Sequence, residues 1–143
     1  MTEYHSFTQS YPVLSNTLKS NVGVATAGNK SKGFGFVGLW DTGATNSMIT
    51  QRVVDVLKLQ PFNIHEVFTP SGKMDAYCYY VDITLPNKMI IKDMLVLQGE
   101  PIGCDVLIGM DIIGQGDFAV SAFGGKTTFT FRFPSKEKID FKK

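Results

Sequence analysis

The chain has 143 residues, an ordinary length for one domain and too short for two separate hydrophobic cores. Fourteen basic residues against thirteen acidic ones leave a formal charge of +1, so charge gives no basis for a nucleic-acid or anionic-membrane partner. No apolar stretch approaches the roughly 20 residues that span a bilayer, and the first residues lack a secretion-signal pattern. We therefore expect a cytoplasmic protein with no nucleic-acid and no membrane partner.

The first forty residues carry short segments that are typical of β-strands. Residues 10–14 and 21–25 are strand candidates, and residues 29–33 indicate a polar turn. The apolar segment 34–40 predicts a longer strand, in which two glycines favour bending or the close approach of another backbone. Residues 33–38 also spell G-x-G-x-x-G, but a dinucleotide-binding motif follows a strand and opens a helix, and this one follows a polar turn and lies in a strand.

The middle of the chain predicts one helix followed by a hairpin. Apolar residues recur with helical spacing over 50–58, opposite a polar face. Residues 63–85 contain two strand-like runs that are separated by a polar, glycine-bearing break at 69–73, a pattern typical of a β-hairpin. Further strands are expected over 88–97 and 105–108.

The C-terminal part predicts a short helix, an aromatic hairpin and a tail. The helix is expected near 110–114, and the hairpin over 118–133 turns at two adjacent glycines. Phenylalanines alternate with polar residues in its second strand, so one face of that strand is apolar. We expect residues 1–133 to form one domain, in which 1–20 are an extension candidate, and residues 134–143 to form a charged tail.

A carboxylate stands where an ordinary core would place none. Asp41 directly follows the apolar strand 34–40, in the run Asp-Thr-Gly-Ala. A charge that leaves water at such a point is costly unless it is paired, hydrogen-bonded or neutralised by a pKa shift. Two carboxylates that share one proton solve that problem, and the same arrangement activates water. A second apolar run, Leu107-Ile108-Gly109, ends on a glycine that permits the close approach of another backbone.

Together these two runs resemble the retropepsin-like (retroviral-type) aspartic protease family, over roughly residues 20–131. In that family a hydrophobic strand leads into Asp-Thr/Ser-Gly-Ala, and two hydrophobic residues followed by Gly recur downstream. The resemblance implies a mainly β fold: a closed antiparallel acid-protease barrel with one or two short helices and one lobe per chain. It also implies an aspartic endopeptidase that hydrolyses peptide bonds without a metal or an organic cofactor.

By this resemblance Asp41 is the catalytic residue. Peptide hydrolysis by a carboxylate dyad needs one ionised member as general base on a water molecule and one protonated member as general acid. The chain holds a single Asp-Thr-Gly, so the second Asp41 must come from an identical chain across a two-fold axis. We therefore expect a homodimer that acts on a polypeptide substrate.

The residues after Asp41 take supporting roles by the same resemblance. Thr42 would hydrogen-bond to the turn of the opposing chain, and Gly43 permits the tight turn. Ala44 matches the retroviral pattern, whereas pepsin-like enzymes usually place a hydroxyl donor at this position. Loss of that donor leaves the pKa values of the dyad higher, which predicts activity that extends toward weakly acidic pH.

The hairpin with its break at 69–73 occupies the position of the family's flap, a lid that closes over an extended peptide. Its tip, Pro70-Ser71-Gly72, is the expected place of contact with the substrate main chain. A glycine there suits a tip that changes conformation between open and closed states.

Two positions depart from the viral pattern. Trp40 is bulkier than the usual aliphatic residue before the Asp, and Gly109-Met110-Asp111 lacks the arginine of the viral Gly-Arg-Asn/Asp element. The first thirty residues are also longer than in a minimal viral protomer. The aromatic C-terminal hairpin is therefore our candidate for the dimer interface.

Other interpretations stay open at this point. Asp41 alone would more often be a turn or helix-capping aspartate, Gly72 a hairpin-turn glycine, and Asp111 a helix cap. The chain could also be a non-catalytic dimeric peptide-binding or scaffold module of the same fold. A third interpretation is an unrelated β-barrel binding module with a chance Asp-Thr-Gly.

The metal-binding residue types do not form a recognisable pattern. His65-Glu66 has no second histidine at the helical spacing of a zinc protease, and the separation of Cys78 from Cys104 fits no zinc motif. We interpret the two cysteines as small buried hydrophobes, and we expect no metal.

Overall fold

The structure, a computed structural model, describes residues 1–29, 33–101 and 103–142, without the side chain of Thr69. The turn predicted over 29–33 therefore lies largely outside the described residues. The described part of the chain forms two β-sheets and two short α-helices. The elements are β1 (His5–Ser10), β2 (Lys19–Thr26), β3 (Phe34–Trp40), β4 (Met48–Ile49), α1 (Gln51–Leu57), β5 (Asn63–Thr69), β6 (Gly72–Thr84), β7 (Ile90–Gln98), β8 (Val106–Ile108), α2 (Met110–Ile113), β9 (Asp117–Ser121) and β10 (Thr128–Phe133), with a 3₁₀ turn at Phe123–Gly125.

The larger sheet closes on itself. Its hydrogen-bonded neighbours run in the order β2, β3, β8, β4, β7 and β6, and the second half of β6 pairs back onto β2. The first half of β6 pairs with β5, which forms the outer strand of a hairpin. The mainly β fold with short helices is thus confirmed. The sheet is mixed rather than purely antiparallel, because the β3–β8 and β4–β7 pairs run parallel.

Strand alternation places the core inside this closed sheet. Val22 and Val24 of β2 are buried, with more accessible residues between and beside them. Ile49, Val81 and Ile108 come from three other strands and are fully enclosed. Each side chain of this kind stabilises the fold by about 1.5–3 kcal/mol relative to an exposed position. The end of β3 is therefore fixed to a rigid core.

The smaller sheet has the order β1, β10, β9 and packs its aromatic face on Trp40, the last residue of β3. The Trp40 ring lies 5.1 Å from Phe131 of β10 and stacks on Phe118 of β9 at 5.8 Å and 15°. Phe129 and Phe131 are completely buried. The apolar face predicted for the C-terminal hairpin is therefore used within the chain, so a partner could contact only the outer face and edge of this hairpin.

Most of the predicted elements appear close to their expected bounds. The segment 34–40 is β3, the helix expected over 50–58 is α1, and the hairpin over 63–85 turns at Pro70 and Ser71. The helix ends at Lys58, which adopts a left-handed conformation with φ of 54°. These segments carry strong local signals, so they fold as their patterns predict.

The strand expected over 10–14 is wrong. β1 lies earlier, at His5–Ser10, and pairs along its whole length with β10. The Tyr11 N–H still donates to Thr127 O at 2.8 Å, but Pro12 has no N–H with which to continue the ladder. The chain therefore leaves the sheet at this proline.

Candidate active site

Asp41 lies at the end of β3, where β3 runs parallel to β8. Trp40 pairs with Ile108 in that ladder, and the Asp41 N–H donates to the Ile108 carbonyl at 2.8 Å. Because two parallel strands end at the same edge of a sheet, this pairing holds the start of the turn against the second apolar run that the sequence singled out. The structure thus brings Asp41 together with Leu107, Ile108 and Gly109, which are more than sixty residues away in sequence.

Residues 41–44 form a tight turn, here called the Asp41 turn. The Gly43 N–H donates to Asp41 Oδ1 at 2.8 Å, and the Ala44 N–H donates to the Asp41 carbonyl at 3.2 Å. A Cβ added at Gly43 would lie 3.2 Å from Asp41 Oδ1 and would crowd this contact. Thr42 and Gly43 are exposed, while Asp41 and Ala44 are half-buried. One carboxylate oxygen is therefore fixed by the turn, on a loop whose tip faces solvent.

A second set of hydrogen bonds fastens the end of this loop to α2. The backbone N–H of Ser47 donates to Asp111 Oδ2 and its hydroxyl donates to Asp111 Oδ1, both at 2.7 Å. The same hydroxyl accepts the Gly109 N–H at 3.0 Å, and the Met110 N–H donates to the Ala44 carbonyl at 2.8 Å. Ser47 is completely buried. Sequence reasoning missed Ser47, since nothing local distinguishes it from a loop serine.

These contacts overturn one expectation about the segment that follows β8 and explain another. The N-cap of α2 is Gly109, and the Asp111 carboxylate binds Ser47, so the helix-cap interpretation of Asp111 is wrong. Close packing explains Gly109, because an added Cβ would lie within 2.9 Å of backbone atoms of Ala44 and Asn46. Met110 occupies the position of the viral arginine with a largely exposed side chain. The Asp41 turn is thus held here by a serine and an aspartate.

A groove of about 470 Å³, here called the cleft cavity, lies between the Asp41 turn and the β5–β6 hairpin. Gly43 and Ala44 line it on the turn side. The other lining residues are the polar Thr45 and Asn46 of the loop after the turn, His65 and Glu66 of β5, and the apolar Met48, Val67, Phe68, Leu95 and Leu97. Its floor is apolar, and exposed His65 and Phe68 stand on the hairpin side. The shape suits an extended chain with apolar side chains.

The hairpin tip is a tight turn, and its residues are not among those that line the cleft cavity. Gly72 adopts φ of 117°, a conformation that side-chain-bearing residues rarely take, and it pairs with Thr69 across the turn at Pro70 and Ser71. The cavity lining comes instead from β5. The sequence suggested only the tip as a substrate contact. The residues of β5 that line the cavity can be recognised only once the register of β5 with β6 is known.

In the described part of the chain, the cysteines and the possible metal-ligating side chains do not form a second candidate site. Cys78 and Cys104 are free thiols, and burial raises the pKa of each. Among the residues that the structure describes, no three His, Cys, Asp or Glu side chains are grouped so that they could hold a metal ion. In the same part of the chain, no helix has the length and apolar character that crossing a membrane requires.

A closed β fold that places Asp-Thr-Gly at a strand end, facing a β-hairpin across a groove, has the architecture of one aspartic protease lobe. A sequence profile described as retroviral aspartyl protease matches residues 7–132 of this chain. The chain therefore belongs to the retroviral aspartyl protease family. The match excludes the interpretation as an unrelated β-barrel with a chance motif. Comparison with curated protein sequences finds no match.

Solved structures show the same fold at low sequence identity. A retropepsin-like aspartic protease from Rickettsia conorii aligns with a TM-score of 0.55 and 11% identity, over 92% of this chain and 97% of that one. The EIAV protease, in complex with the inhibitor HBY-793, gives a TM-score of 0.53 and 20% identity over 73% and 90%. The simian foamy virus (mac) protease gives 0.50 and 15% over 68% and 92%. These likenesses establish the retropepsin-like fold.

Proposed function

We propose that this protein is an aspartic endopeptidase that works as a homodimer, with Asp41 of each chain forming the catalytic pair. The observation that carries the proposal is the fixed position of Asp41, between the Ile108 carbonyl and the Gly43 N–H, at a half-exposed turn that borders an apolar groove. Turn aspartates commonly make such contacts, so the support for catalysis comes from the place of this turn beside the cleft cavity in a chain of the aspartyl protease family.

The chemistry requires a second carboxylate. Two like charges about 3 Å apart cannot both ionise, so a pair of Asp41 side chains would share one proton. The ionised member takes a proton from water as the water attacks the scissile carbonyl, and the protonated member donates to the carbonyl oxygen. In each chain the Gly43 N–H already holds Asp41 Oδ1, which leaves Oδ2 as the oxygen that faces water and substrate. Thr42 is exposed at the tip of the Asp41 turn. A contact between Thr42 and the partner's turn requires this exposure.

The smaller sheet is the surface that we propose for dimerisation. Trp40 immediately precedes Asp41 and stacks on Phe118 of β9, so a partner docked on this sheet would lie close to the Asp41 turn. β9 forms one edge of the sheet. Val120 at that edge and Phe123 in the following turn are 49% and 92% exposed. Burial of these side chains against a second copy would remove exposed apolar surface.

Digestion of a diverse peptide mixture between about pH 4 and 7 tests the proposal, with wild type and Asp41→Asn compared by mass spectrometry of the products. We expect cleavage by wild type alone, with activity that extends to weakly acidic pH because Ala44 supplies no hydroxyl to the carboxylates. Equal cleavage by both proteins would exclude Asp41 as the catalyst. If both remain folded dimers and neither cuts, the non-catalytic peptide-binding function becomes the better conclusion.

A further inference from the structure

A second cavity lies behind the wall of the cleft cavity. This outer cavity of about 460 Å³ is bordered by Met74, Ala76, Tyr77, Gln98 and Gly99. Met48 and Val67 line both cavities. The two cavities are therefore neighbours, and the side chains of Met48 and Val67 form the partition between them.

The end of the Met48 side chain rests over Gly99. β4 runs parallel to β7 at this point, with Met48 paired with Leu97 and the Gly99 N–H donating to the Ile49 carbonyl at 3.0 Å. A Cβ added at Gly99 would fall on the Met48 methyl group and would lie 3.4 Å from its sulfur. The methyl group thus occupies space that only a glycine leaves open. Because Gly99 borders the outer cavity, the tip of Met48 points away from the cleft.

The partition belongs to a small apolar cluster that is distinct from the main core. Met48, Val67 and Leu95 are only partly buried and pack on a small cluster of Ala76, Cys78 and Leu97, separate from the main core. Methionine is unbranched and rotates about three side-chain bonds, so it fills irregular space at little cost. Met48 packs on this small cluster and stays partly exposed, whereas Ile49 is fully enclosed in the main core.

We infer that Met48 is an adjustable wall that determines which substrate side chain fits beside the Asp41 turn. This inference rests on the proposed function, since it concerns the same cleft. With its tip over Gly99, Met48 leaves the cleft cavity deep enough for a large apolar side chain such as Leu or Phe. With its tip turned toward the cleft, it fills that space and leaves room for Ala or Val. The substrates are therefore peptides with an apolar residue at this subsite, and Gly99 biases the choice toward large ones.

Two substitutions move the wall in opposite directions. Met48→Ala removes the Met48 side of the partition, opens the cleft cavity toward the outer cavity and favours Trp and Phe at this subsite. Gly99→Ala displaces the Met48 methyl group toward the cleft and favours Ala and Val. We compare kcat/KM for a substrate with a large residue at this subsite with kcat/KM for one with a small residue. The two variants change this ratio in opposite directions, each by at least about tenfold, as expected for side-chain volume in an apolar pocket. Met74→Ala is the matched control, because Met74 lines the outer cavity alone.

The experiment uses a peptide that the wild type cuts, with Ala, Val, Leu, Phe and Trp placed in turn at each position beside the cleaved bond. Opposite shifts in Met48→Ala and Gly99→Ala, with Met74→Ala unchanged, support the inference. If both wall variants cut with wild-type preferences, the inference is overturned and the proposed function stands.

A second measurement does not depend on activity. With methyl-labelled methionine, the Met48 signal is assigned by its loss in Met48→Ala and is followed by NMR. In Gly99→Ala we expect this methyl group to lose its contacts with residue 99 and to gain contacts with the Ala44 methyl group, which lines the cleft alone. An unmoved methyl signal overturns the inference. If no variant cleaves any peptide, the proposed function fails, and the NMR result still decides whether the wall moves.

Discussion

Ser47 and Asp111 are joined by two hydrogen bonds of 2.7 Å, which link the loop after Asp41 to the first turn of α2. The Ser47 hydroxyl also accepts the Gly109 N–H, so one buried group connects the two sequence runs that define the site. The pair is formed by residues 64 positions apart. Met110, between Gly109 and Asp111, stands where the viral pattern has an arginine.

Replacement of Ser47 by Ala tests this link. The change leaves the buried Gly109 N–H without its partner, which costs about 1–3 kcal/mol of folding free energy. Because the loop carrying Asp41 loses the two bonds of the Ser47 hydroxyl while the cleft lining is unchanged, we expect kcat to fall more than KM rises. Urea unfolding and steady-state kinetics measure the two effects. Ser10→Ala is the control, because Ser10 is exposed and, among the described residues, its hydroxyl bonds to the Thr128 hydroxyl in an exposed pair on the sheet surface. Equal behaviour of both variants would contradict the role of Ser47.

The local sequence pattern was enough to predict three elements near the candidate site. The apolar run of β3, the helical spacing of α1 and the Pro-Ser-Gly turn are each contained in fewer than fifteen residues, so their chemistry can be read without knowing the fold. The link between Ser47 and Asp111 could not be predicted in this way, since it depends on how β4 and α2 meet in space. β1 was misplaced for a similar reason: its weak alternation becomes a strand only through pairing with β10.

Trp40 connects the smaller sheet to the site, so its replacement should affect stability and assembly together. It is 4% exposed, and its indole N–H donates to the Ser20 hydroxyl at 2.8 Å. Trp40→Leu restores the aliphatic residue usual in the family but leaves a cavity among Phe7, Phe118 and Phe131. We expect a loss of about 2–4 kcal/mol in unfolding free energy, measured by circular dichroism in urea. A variant as stable as wild type would show that the aromatic cluster does not support β3.

Phe123→Asp tests the proposed dimer surface. A charge at this 92% exposed side chain costs nothing in the isolated chain, but it would be buried in the dimer without a partner charge. We expect a folded monomer by sedimentation velocity, at concentrations where wild type is a dimer, and no peptidase activity. Phe141→Asp is the matched control, because Phe141 is 89% exposed and lies in the C-terminal tail. If Phe123→Asp dimerises like wild type, β9 and its turn are not the interface.

Gly72→Ala tests the hairpin tip. The φ of 117° at Gly72 is strained for any residue with a Cβ, at a cost of roughly 1–3 kcal/mol, although the added methyl group would meet no other atom within 4 Å. We expect lower kcat/KM, measured by steady-state kinetics, and a loss of unfolding free energy no larger than this strain. Gly35→Ala is the control, since its Cβ also meets open space and its φ is ordinary. Full activity in Gly72→Ala would contradict a lid function for this tip.

Asp117 anchors the start of the C-terminal tail in a manner that depends on pH. The Lys136 N–H, the Ser135 hydroxyl and the Arg132 guanidinium all donate to its carboxylate and hold its pKa well below the ordinary value. Because the folded pKa is depressed, this stabilisation is present above the unfolded pKa of about 3.8 and is lost as pH falls through the folded pKa.

Asp117→Asn should therefore melt at a lower temperature than wild type at pH 7, and the difference should shrink below about pH 3.8. Thermal melting followed by circular dichroism at the two pH values measures this. Asp140→Asn serves as the control, because within the described part of the chain the Asp140 carboxylate accepts a hydrogen bond from the nearby Lys142 N–H and not from the body of the fold. A constant difference at both pH values would show that the Asp117 charge is not the anchor.

Subunit mixing tests most directly whether two Asp41 carboxylates, one from each chain, form the catalytic pair. Wild type and Asp41→Asn are combined at constant total concentration, allowed to exchange, and assayed on one peptide. If each active site needs both carboxylates, an equal mixture retains about one quarter of the wild-type rate, because only wild-type pairs are active. A rate of about one half would mean that each chain acts independently, and it would contradict the shared dyad.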